Sequence, residues 1–406
     1  MISSYPIPLN IVSFIDNPNN NTYNISNFKH KIAAFSSFIL IMSLLKKGKR
    51  DAEVSFSFPW MFNFLGNDLK KVIKTLEEAG FITKTRNYYV GSHCNYYKLN
   101  KDKCGEFKYF DLHHMGLPRC LKKTYFERIM EGIQKKNKED LISIGKLADA
   151  EAYIRELDRD EETIEKKVEN MEMQDKKTIG TKKESFRGAK NRYQWENFKA
   201  GNTFCTQSKV GGRLYTSFCN MSKEIKQHFS YKGKPIFNVD VKCAQPLILS
   251  VLYDEIDADP WFVKKEKEAY LQAVDDDIYT LIGAKGKDRD LIKKDFYNIF
   301  FGKLGRWNKE LFKNFQENFP LLAEKIIQLK KKDHRTLAHK LQRTESDIVI
   351  HGAYLEFLET YDRFALTIHD SIVCVEEDIE IVKGLLSKHF ARYGMKCSIG
   401  VERITV

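Results

Sequence analysis

The sequence lacks any run of about 18 consecutive apolar residues, the length that a membrane-spanning helix needs. The closest approach, residues 32–45, is interrupted by three serines and predicts a buried helix instead. The N-terminus also lacks a positively charged segment followed by an apolar core, so we expect no secretion signal. These absences predict a cytoplasmic protein with no membrane partner.

Paired cysteines are missing too. The eight cysteines are scattered singly, without a CxxC motif, which is typical of free thiols in a reducing compartment. One group of potential zinc ligands lies close together in sequence, but its spacing matches no common zinc site. Its members are Cys94, Cys104, His113, His114 and Cys120. Zinc binding is therefore the less favoured interpretation of this group.

Basic residues are plentiful. The 406 residues include 67 Lys and Arg against 55 Asp and Glu, a formal net charge of +12. This surplus favours a polyanionic partner, nucleic acid first, with a merely basic soluble protein as the alternative. The composition, 42% hydrophobic and 30% charged, is typical of globular proteins, and the length allows two or three domains.

Residues 1–110 are predicted to form a small domain of two helices followed by a two-stranded hairpin. The first helix covers residues 29–47, and the second has Asn67 as its N-cap and ends at Gly80. The two predicted strands are residues 81–85 and 95–99.

This order of elements resembles a winged helix-turn-helix. In such modules the second helix enters the major groove and the hairpin contacts backbone phosphates. Lys70, Lys71 and Lys74 lie on the polar face of the second helix, so we predict that they bind nucleic acid. The alternative is a winged helix that binds protein.

Residues 111–200 are charged and mostly helical in period. Within them, residues 176–192 are strongly basic and weakly apolar. We predict a helical region with a basic arm along a nucleic-acid backbone, or alternatively a solvated helical hairpin.

Two aspartates stand on apolar strands in the C-terminal half. Asp240 lies near the end of the predicted strand 236–241, and Asp370 occupies the tight turn of a hairpin formed by residues 365–375. Buried carboxylates are costly unless a cation or partner neutralises them. Carboxylate oxygens suit Mg²⁺, and two such ions would serve an in-line displacement at phosphorus.

A helix with a distinctive face lies between the two aspartates. Arg289, Lys293, Tyr297 and Phe301 recur every four residues, which places them along one helix face. Two cations one turn apart can grip a triphosphate, and the aromatic rings offer a stacking surface for a base. The alternative is an ordinary amphipathic helix with its aromatics in the core.

The second half of the chain, residues 201–406, resembles the polymerase core of family A DNA polymerases and of the related single-subunit phage RNA polymerases. Five elements match in the right order. They are residues 212–216 for the GR element, 240–245 for motif A, 289–302 for motif B (with 277–279 before it), 342–347 for the QGTAAD element and 369–371 for motif C.

The resemblance implies an α+β fold of the right-hand polymerase type: a palm with an antiparallel sheet, helical fingers, and a thumb in residues 111–200. It implies that Asp240 and Asp370 bind two Mg²⁺ ions, with Mn²⁺ as a substitute. Arg289 and Lys293 would grip the triphosphate, with Lys293 as general acid for the leaving group.

The resemblance also assigns the residues around the nucleotide. Tyr297 would stack on the incoming base, and Gln245 and Phe301 would wall the sugar. The residues expected to hold primer and template are Arg213, Gln342 and His369.

Several positions depart from the DNA polymerase pattern, Pro246 among them. Gln245 replaces the glutamate that excludes the ribose 2′-hydroxyl, and Phe301 replaces a tyrosine. Gln245 keeps the bulk of the gate, so we expect a preference for deoxynucleotides with incomplete exclusion of ribonucleotides. The HDS form of motif C, residues 369–371, is the form found in the RNA polymerases.

The favoured prediction is a template-directed DNA polymerase that transfers nucleotides from dNTPs to a primer 3′-hydroxyl. No segment suits a proofreading exonuclease, and the fused N-terminal module suggests replication of a phage, plasmid or other mobile element. One alternative is an RNA polymerase or primase of the same fold. The other is a winged-helix replication initiator or regulator with a non-catalytic polymerase-like half.

Overall fold

The computed structural model describes residues 4–17, 29–47, 52–56, 61–62, 65–86, 95–111, 135, 138–178, 187–283, 286–305 and 307–406. In these residues the fold mixes many helices with small antiparallel sheets. No helix within the described ranges has the length and apolar character needed to span a bilayer.

The elements are numbered in chain order. The strands are β1 (Ser4–Pro8), β2 (Val54–Ser55), β3 (Ile82–Arg86), β4 (Tyr96–Leu99), β5 (Phe107–Asp111), β6 (Leu157–Arg159), β7 (Cys205–Gln207), β8 (Leu214–Thr216), β9 (Phe229–Tyr231), β10 (Ile236–Val241), β11 (Leu366–Ile368), β12 (Ser371–Val375) and β13 (Ile399–Arg403). The helices are α1 (Leu9–Asp16), α2 (Lys29–Lys47), α3 (Leu69–Glu78), α4 (Lys101–Cys104), α5 (Asp149–Arg155), α6 (Glu161–Thr178), α7 (Arg187–Lys199), α8 (Ser217–Asn220), α9 (Lys223–Lys226), α10 (Ala244–Leu249), α11 (Pro260–Asp276), α12 (Ile278–Ile282), α13 (Arg289–Phe301), α14 (Lys309–Asn318), α15 (Pro320–Lys332), α16 (Thr336–Ile348), α17 (Leu355–Tyr361) and α18 (Ile379–Ala391).

The chain divides into two compact units. The first comprises Met1–Glu139, Asp160–Thr203 and Met221–Ile225. The second comprises Asp140–Arg159, Phe204–Asn220 and Lys226–Val406. These units cut across the predicted domain boundaries at residues 110 and 200, which stay predictions.

Helix α2 is the centre of the first unit and confirms the predicted buried helix. It packs against β1, β4, α1, α3 and α7. Two of the three serines that interrupt its apolar run make hydrogen bonds that offset their burial: the Ser36 hydroxyl donates to the Ile32 carbonyl at 2.7 Å, and Ser43 Oγ accepts from the Ala52 N–H at 2.7 Å. The apolar run therefore forms a core helix.

Helix α3 and the β3–β4 hairpin follow in the predicted order. Strands β3 and β4 pair antiparallel, with Ile82 opposite Leu99, and β2 adds a third strand at the edge of β4. Asn67 is not the N-cap of α3: it lies in a 3₁₀ turn, Gly66–Asp68, that leads into the helix. Asp68 occupies the N-cap position instead, and its carboxylate forms an ion pair with the Lys31 ammonium at 2.5 Å. Assignment of the module as a winged helix stays a prediction.

Cys104 belongs to the core of the first unit. Its side chain is buried, and its thiol donates to the Phe81 carbonyl at 3.4 Å. The other four residues of the potential zinc group, Cys94, His113, His114 and Cys120, lie outside the described residues.

Helices α6 and α7 form a hairpin whose interior contains ion pairs. Arg192 in α7 pairs with Glu165 and with Glu172, the latter at 3.0 Å, and its side chain is 12% exposed. The indole N–H of Trp195 donates to Glu165 at 2.8 Å. Arg192, the last residue of the basic segment 176–192, therefore pairs within the hairpin, and both interpretations of the segment stay predictions. The middle of that segment lies outside the described residues.

The second unit is built on a four-stranded antiparallel sheet in the order β11-β12-β10-β13. Helix α18 packs against β10 and β12. The helical period expected up to residue 200 fails at Leu157, which lies in β6 opposite Tyr231 of β9. Pairing with a strand distant in sequence overrides the local helical pattern here.

A buried lysine links two helices of the second unit. The Lys330 ammonium in α15 is 3% exposed and donates to the carbonyls of Phe300 and Gly302, both at 2.8 Å, and of His334 at 3.3 Å. Two of these carbonyls lie at the end of α13, where helical carbonyls have no partner within the helix. Burial lowers the pKa of Lys330 to about 8, so the amine still carries its proton at pH 7.

We expect the Lys330→Met substitution to lower the free energy of unfolding by about 1–3 kcal/mol, because it leaves buried carbonyls without a donor. Urea denaturation at pH 7 measures the change. The matched control is Lys331→Met, which removes the same charge from an exposed neighbour. Equal unfolding free energies for the two variants would contradict the role of Lys330.

Candidate active site

Two strands of the four-stranded sheet bring the two predicted aspartates together. Strands β10 and β12 pair with Asp240 opposite Ser371, so that Asp370, the residue before Ser371, lies beside Asp240. Asp370 occupies the two-residue turn between β11 and β12, in which His369 has a left-handed φ of 58°. The predicted strand and hairpin are thus confirmed.

The two carboxylates interact strongly. The pKa of Asp240 is raised to about 6, first by burial and then by the negative charge of Asp370. The Lys293 ammonium opposes this shift. Two acidic groups that repel each other in a half-buried position are suited to share a cation.

The burial of Asp240 and its repulsion by Asp370 predict how stability depends on pH when no divalent cation is present. Since the pKa of Asp240 is higher in the folded than in the unfolded chain, protonation stabilises the fold fully below about pH 4, and that contribution is lost as the pH rises through about 6. We expect metal-free Asp240→Asn to be more stable than the native chain by about 1–2 kcal/mol at pH 8, allowing for solvent screening, and by less at pH 4.5.

Denaturation in a chelator at the two pH values measures this difference. The control is Asp257→Asn, which removes an exposed carboxylate of the same unit. An Asp240→Asn variant that is no more stable than the native chain at pH 8 would show that the charge of Asp240 does not destabilise the folded chain.

Helix α13 presents the predicted nucleotide-gripping face. It begins at Arg289, where the Asp288 side chain caps the N–H groups of Asp290 and Leu291 at 2.9 and 3.1 Å. The helix extends to Phe301, which confirms the helix predicted from the four-residue spacing.

Arg289 is held by a neighbouring helix. Its guanidinium donates to both oxygens of Asp277 at 3.2 and 3.3 Å and lies 4.9 Å from the ring centre of Tyr279. The Arg289 side chain is 58% exposed, and an ion pair this accessible contributes about 1 kcal/mol or less. The arginine is therefore pre-oriented, yet a polyanion can compete for it.

The next turns of α13 lie toward the two carboxylates. The Lys293 ammonium is 6.0 Å from the ring centre of Tyr297, and that ring stacks on Phe301 with centroids 6.2 Å apart. The pKa of Tyr297 is raised to about 12, first by burial and then by the charge of Asp370. Because Lys293 also influences Asp240, the predicted triphosphate and base positions share one electrostatic environment with both aspartates.

Gln245 and Arg213 meet at a carboxylate that the motif analysis did not assign. Gln245 in α10 is 3% exposed, and its Nε2 donates to Glu345. Arg213 donates to both oxygens of Glu345 at 2.6 and 2.8 Å. The Arg213 guanidinium is thus already engaged by protein, although it was predicted to contact nucleic acid.

A sequence signal for Glu345 existed in the periodicity of α16. Leu337, Leu341 and Ile348 are buried at helical spacing, and Glu345 falls on the same face. A carboxylate on an apolar helix face indicates a buried charge that needs a partner. The identity of that partner could not be read from the pattern.

Gln342 and Ser346 of α16 hold the glycine-rich loop that precedes Arg213. The Ser346 hydroxyl donates to the Gly211 carbonyl at 2.8 Å. A Cβ on Gly211 would lie 2.8 Å from Gln342 Oε1, and one on Gly212, whose φ is +71°, would lie 2.9 Å from Ser346 Cβ. The two glycines therefore allow the loop to lie close against α16, and this contact fixes the position of the backbone next to Arg213.

His369 lies near the same group. Its ring packs against Tyr215 in an edge-to-face arrangement with centroids 6.4 Å apart. Its pKa is lowered, first by burial and then by the Arg213 charge, which favours the neutral ring. The predicted nucleic-acid residues His369, Arg213 and Gln342 all belong to the second unit.

The remaining predicted contacts, Lys70, Lys71 and Lys74, lie on exposed positions of α3 in the first unit. Lys74 pairs with Glu78 at 3.6 Å, and Lys71 lies 3.9 Å from Asp68. Their binding of nucleic acid stays a prediction.

Comparison with known proteins finds matches among solved structures. No protein-family model matches the sequence, and no curated protein matches it. Among solved structures, the chain is similar to the POL domain of Pol1 from M. smegmatis, solved in complex with DNA primer-template and dNTP. That similarity covers 64% of this chain and 69% of that chain, with a TM-score of 0.42 and 9% sequence identity.

Proposed function

We propose that this protein is a template-directed nucleotidyltransferase that extends a primer 3′-hydroxyl with dNTPs, a DNA polymerase. The observation that carries the proposal is the β10–β12 pairing, which sets Asp370 beside Asp240 within the electrostatic reach of Lys293 and Tyr297. Two carboxylates facing a cationic and aromatic helix face form a site for a nucleoside triphosphate and a divalent cation.

Asp240 and Asp370 fit Mg²⁺, or Mn²⁺ in its place, because both offer oxygen ligands and their mutual repulsion favours a shared cation. Among the described residues, no cluster of three or more His, Cys, Asp or Glu side chains forms a further metal site. A bound ion would supply charge neutralisation at the reacting phosphate.

The remaining steps belong to the side chains of this chain. The Arg289 guanidinium leaves its ion pair with Asp277 and binds a phosphate of the triphosphate. Tyr297 stacks on the base. The primer oxygen bonds to the α-phosphorus while its proton passes to solvent, and the bond to the bridging oxygen breaks. Lys293 donates a proton to the departing pyrophosphate.

In this proposal, Gln245 and Phe301 line the position of the nucleotide sugar. Gln245 keeps the bulk that excludes a 2′-hydroxyl, and Phe301 offers no hydroxyl for a hydrogen bond. Arg213, Gln342 and His369 hold the primer and template, and the lysines of α3 add contacts to the nucleic-acid backbone.

Primer extension with the purified chain and Mg²⁺ tests the proposal. The native chain is supplied with dNTPs or with NTPs on a primed DNA template, beside Gln245→Glu. We expect extension with dNTPs, weaker extension with NTPs, and a higher dNTP preference for Gln245→Glu. Equal or better use of NTPs would favour the RNA polymerase alternative. No extension with either set would refute nucleotidyl transfer and favour the non-catalytic initiator.

A further inference from the structure

Glu345 is a buried carboxylate that contacts two residues of the proposed site at once. Its side chain is 1% exposed. One of its oxygens accepts from Arg213 Nε at 2.6 Å, and the other accepts from Arg213 Nη2 at 2.8 Å and from Gln245 Nε2. The sugar wall and the predicted primer-template contact therefore share one anchoring group.

This carboxylate determines the orientation of the Gln245 amide. Only the amide nitrogen can donate to a carboxylate oxygen, so Nε2 is turned toward Glu345 and Oε1 away from it. Oε1 is buried and accepts no hydrogen bond from a described side chain or backbone group. Glu345 is thus the group that keeps the amide in one orientation.

The charge of Glu345 also depends on this arrangement. Burial raises the pKa of Glu345, whereas the Arg213 guanidinium lowers it. Removing one partner of a buried charge is strongly destabilising. The positions of Arg213, Glu345 and Gln245 therefore depend on one another. A change at one of the three is expected to move the others.

We propose that Glu345 is a positioning residue that sets sugar selectivity by holding Gln245 against the nucleotide and coupling it to Arg213. The inference rests on the proposed function. Glu345 itself touches neither nucleotide nor primer in this proposal; it acts through Gln245.

The test is the ratio of kcat/KM for dNTP to kcat/KM for NTP, measured on one primed template. Weaker primer binding affects both nucleotides equally and cancels in this ratio. We expect Glu345→Gln, which keeps the size of the side chain but removes its charge, to lower the ratio roughly tenfold. The matched control is Glu359→Gln, an exposed glutamate on α17, which should leave the ratio unchanged.

A double-mutant cycle then tests whether Glu345 acts through Gln245. Gln245→Ala should lower the ratio by itself, and adding Glu345→Gln should produce little further change. A ratio for Glu345→Gln within twofold of the native value would overturn the inference. So would two effects that multiply fully in the double variant.

A second variant covers the case in which Glu345→Gln fails to fold. Arg213→Met with Glu345→Met replaces the buried pair by apolar side chains, an exchange that proteins often tolerate. It should lower the ratio like Glu345→Gln, and an unchanged ratio would overturn the inference. If the native chain extends no primer, the proposed function itself fails; if it does so while these variants keep the native ratio, only the inference about Glu345 fails.

Discussion

Replacing Asp240 or Asp370 by asparagine should lower the rate of primer extension by at least about a thousandfold, the largest effect expected for any substitution in this chain. Each aspartate offers a charged oxygen ligand at the reacting phosphate, and the amide of asparagine removes that charge while keeping the shape. The native chain should lose activity in a chelator and regain it with Mg²⁺ or Mn²⁺. Single-nucleotide incorporation under single-turnover conditions measures the rate.

The stability of these variants separates loss of chemistry from loss of fold. Because the charges of Asp240 and Asp370 repel each other, Asp240→Asn should be at least as stable as the native chain without a cation. Asp257→Asn, at an exposed position, should retain full activity. If the single variants Asp240→Asn and Asp370→Asn both fold and keep the native activity, the two carboxylates have no part in the reaction.

Substituting Lys293 by alanine should reduce incorporation by about a hundredfold to a thousandfold, the second largest effect. Lys293 supplies charge toward the triphosphate and, in the proposal, a proton for the leaving pyrophosphate. Lys293→Arg separates the two roles, because arginine keeps the charge but does not give up a proton near neutral pH. Compared with Lys293→Ala, we expect Lys293→Arg to recover nucleotide binding more fully than the rate of incorporation.

The control for this prediction is one residue away. Lys294 is exposed on the same helix, but its charge acts on Asp295, whereas the charge of Lys293 acts on Asp240. Lys294→Ala should therefore change the rate by less than about threefold. An equal loss from the two lysine variants would mean that only the overall charge of α13 matters.

Much of the site could be predicted because its chemistry follows local patterns. The strand around Asp240, the hairpin around Asp370 and the helix from Arg289 to Phe301 all appear as expected. Their periods of two and 3.6 residues are properties of neighbouring residues, so a sequence displays them directly. The N-cap expected at Asn67 failed because the chain forms a 3₁₀ turn over Gly66–Asp68, which places Asp68 at the N-cap position instead.

The helices and strands of the site, and the kinds of side chain they carry, follow from the amino-acid sequence alone. Which charges meet depends on the tertiary structure. Glu345 bonds to Arg213 and Gln245 from 132 and 100 residues away, and Arg192 turns into the α6–α7 hairpin. A buried ion needs a partner of opposite charge, and the sequence contains several possible partners for each ion. Packing decides which of them comes within hydrogen-bond distance.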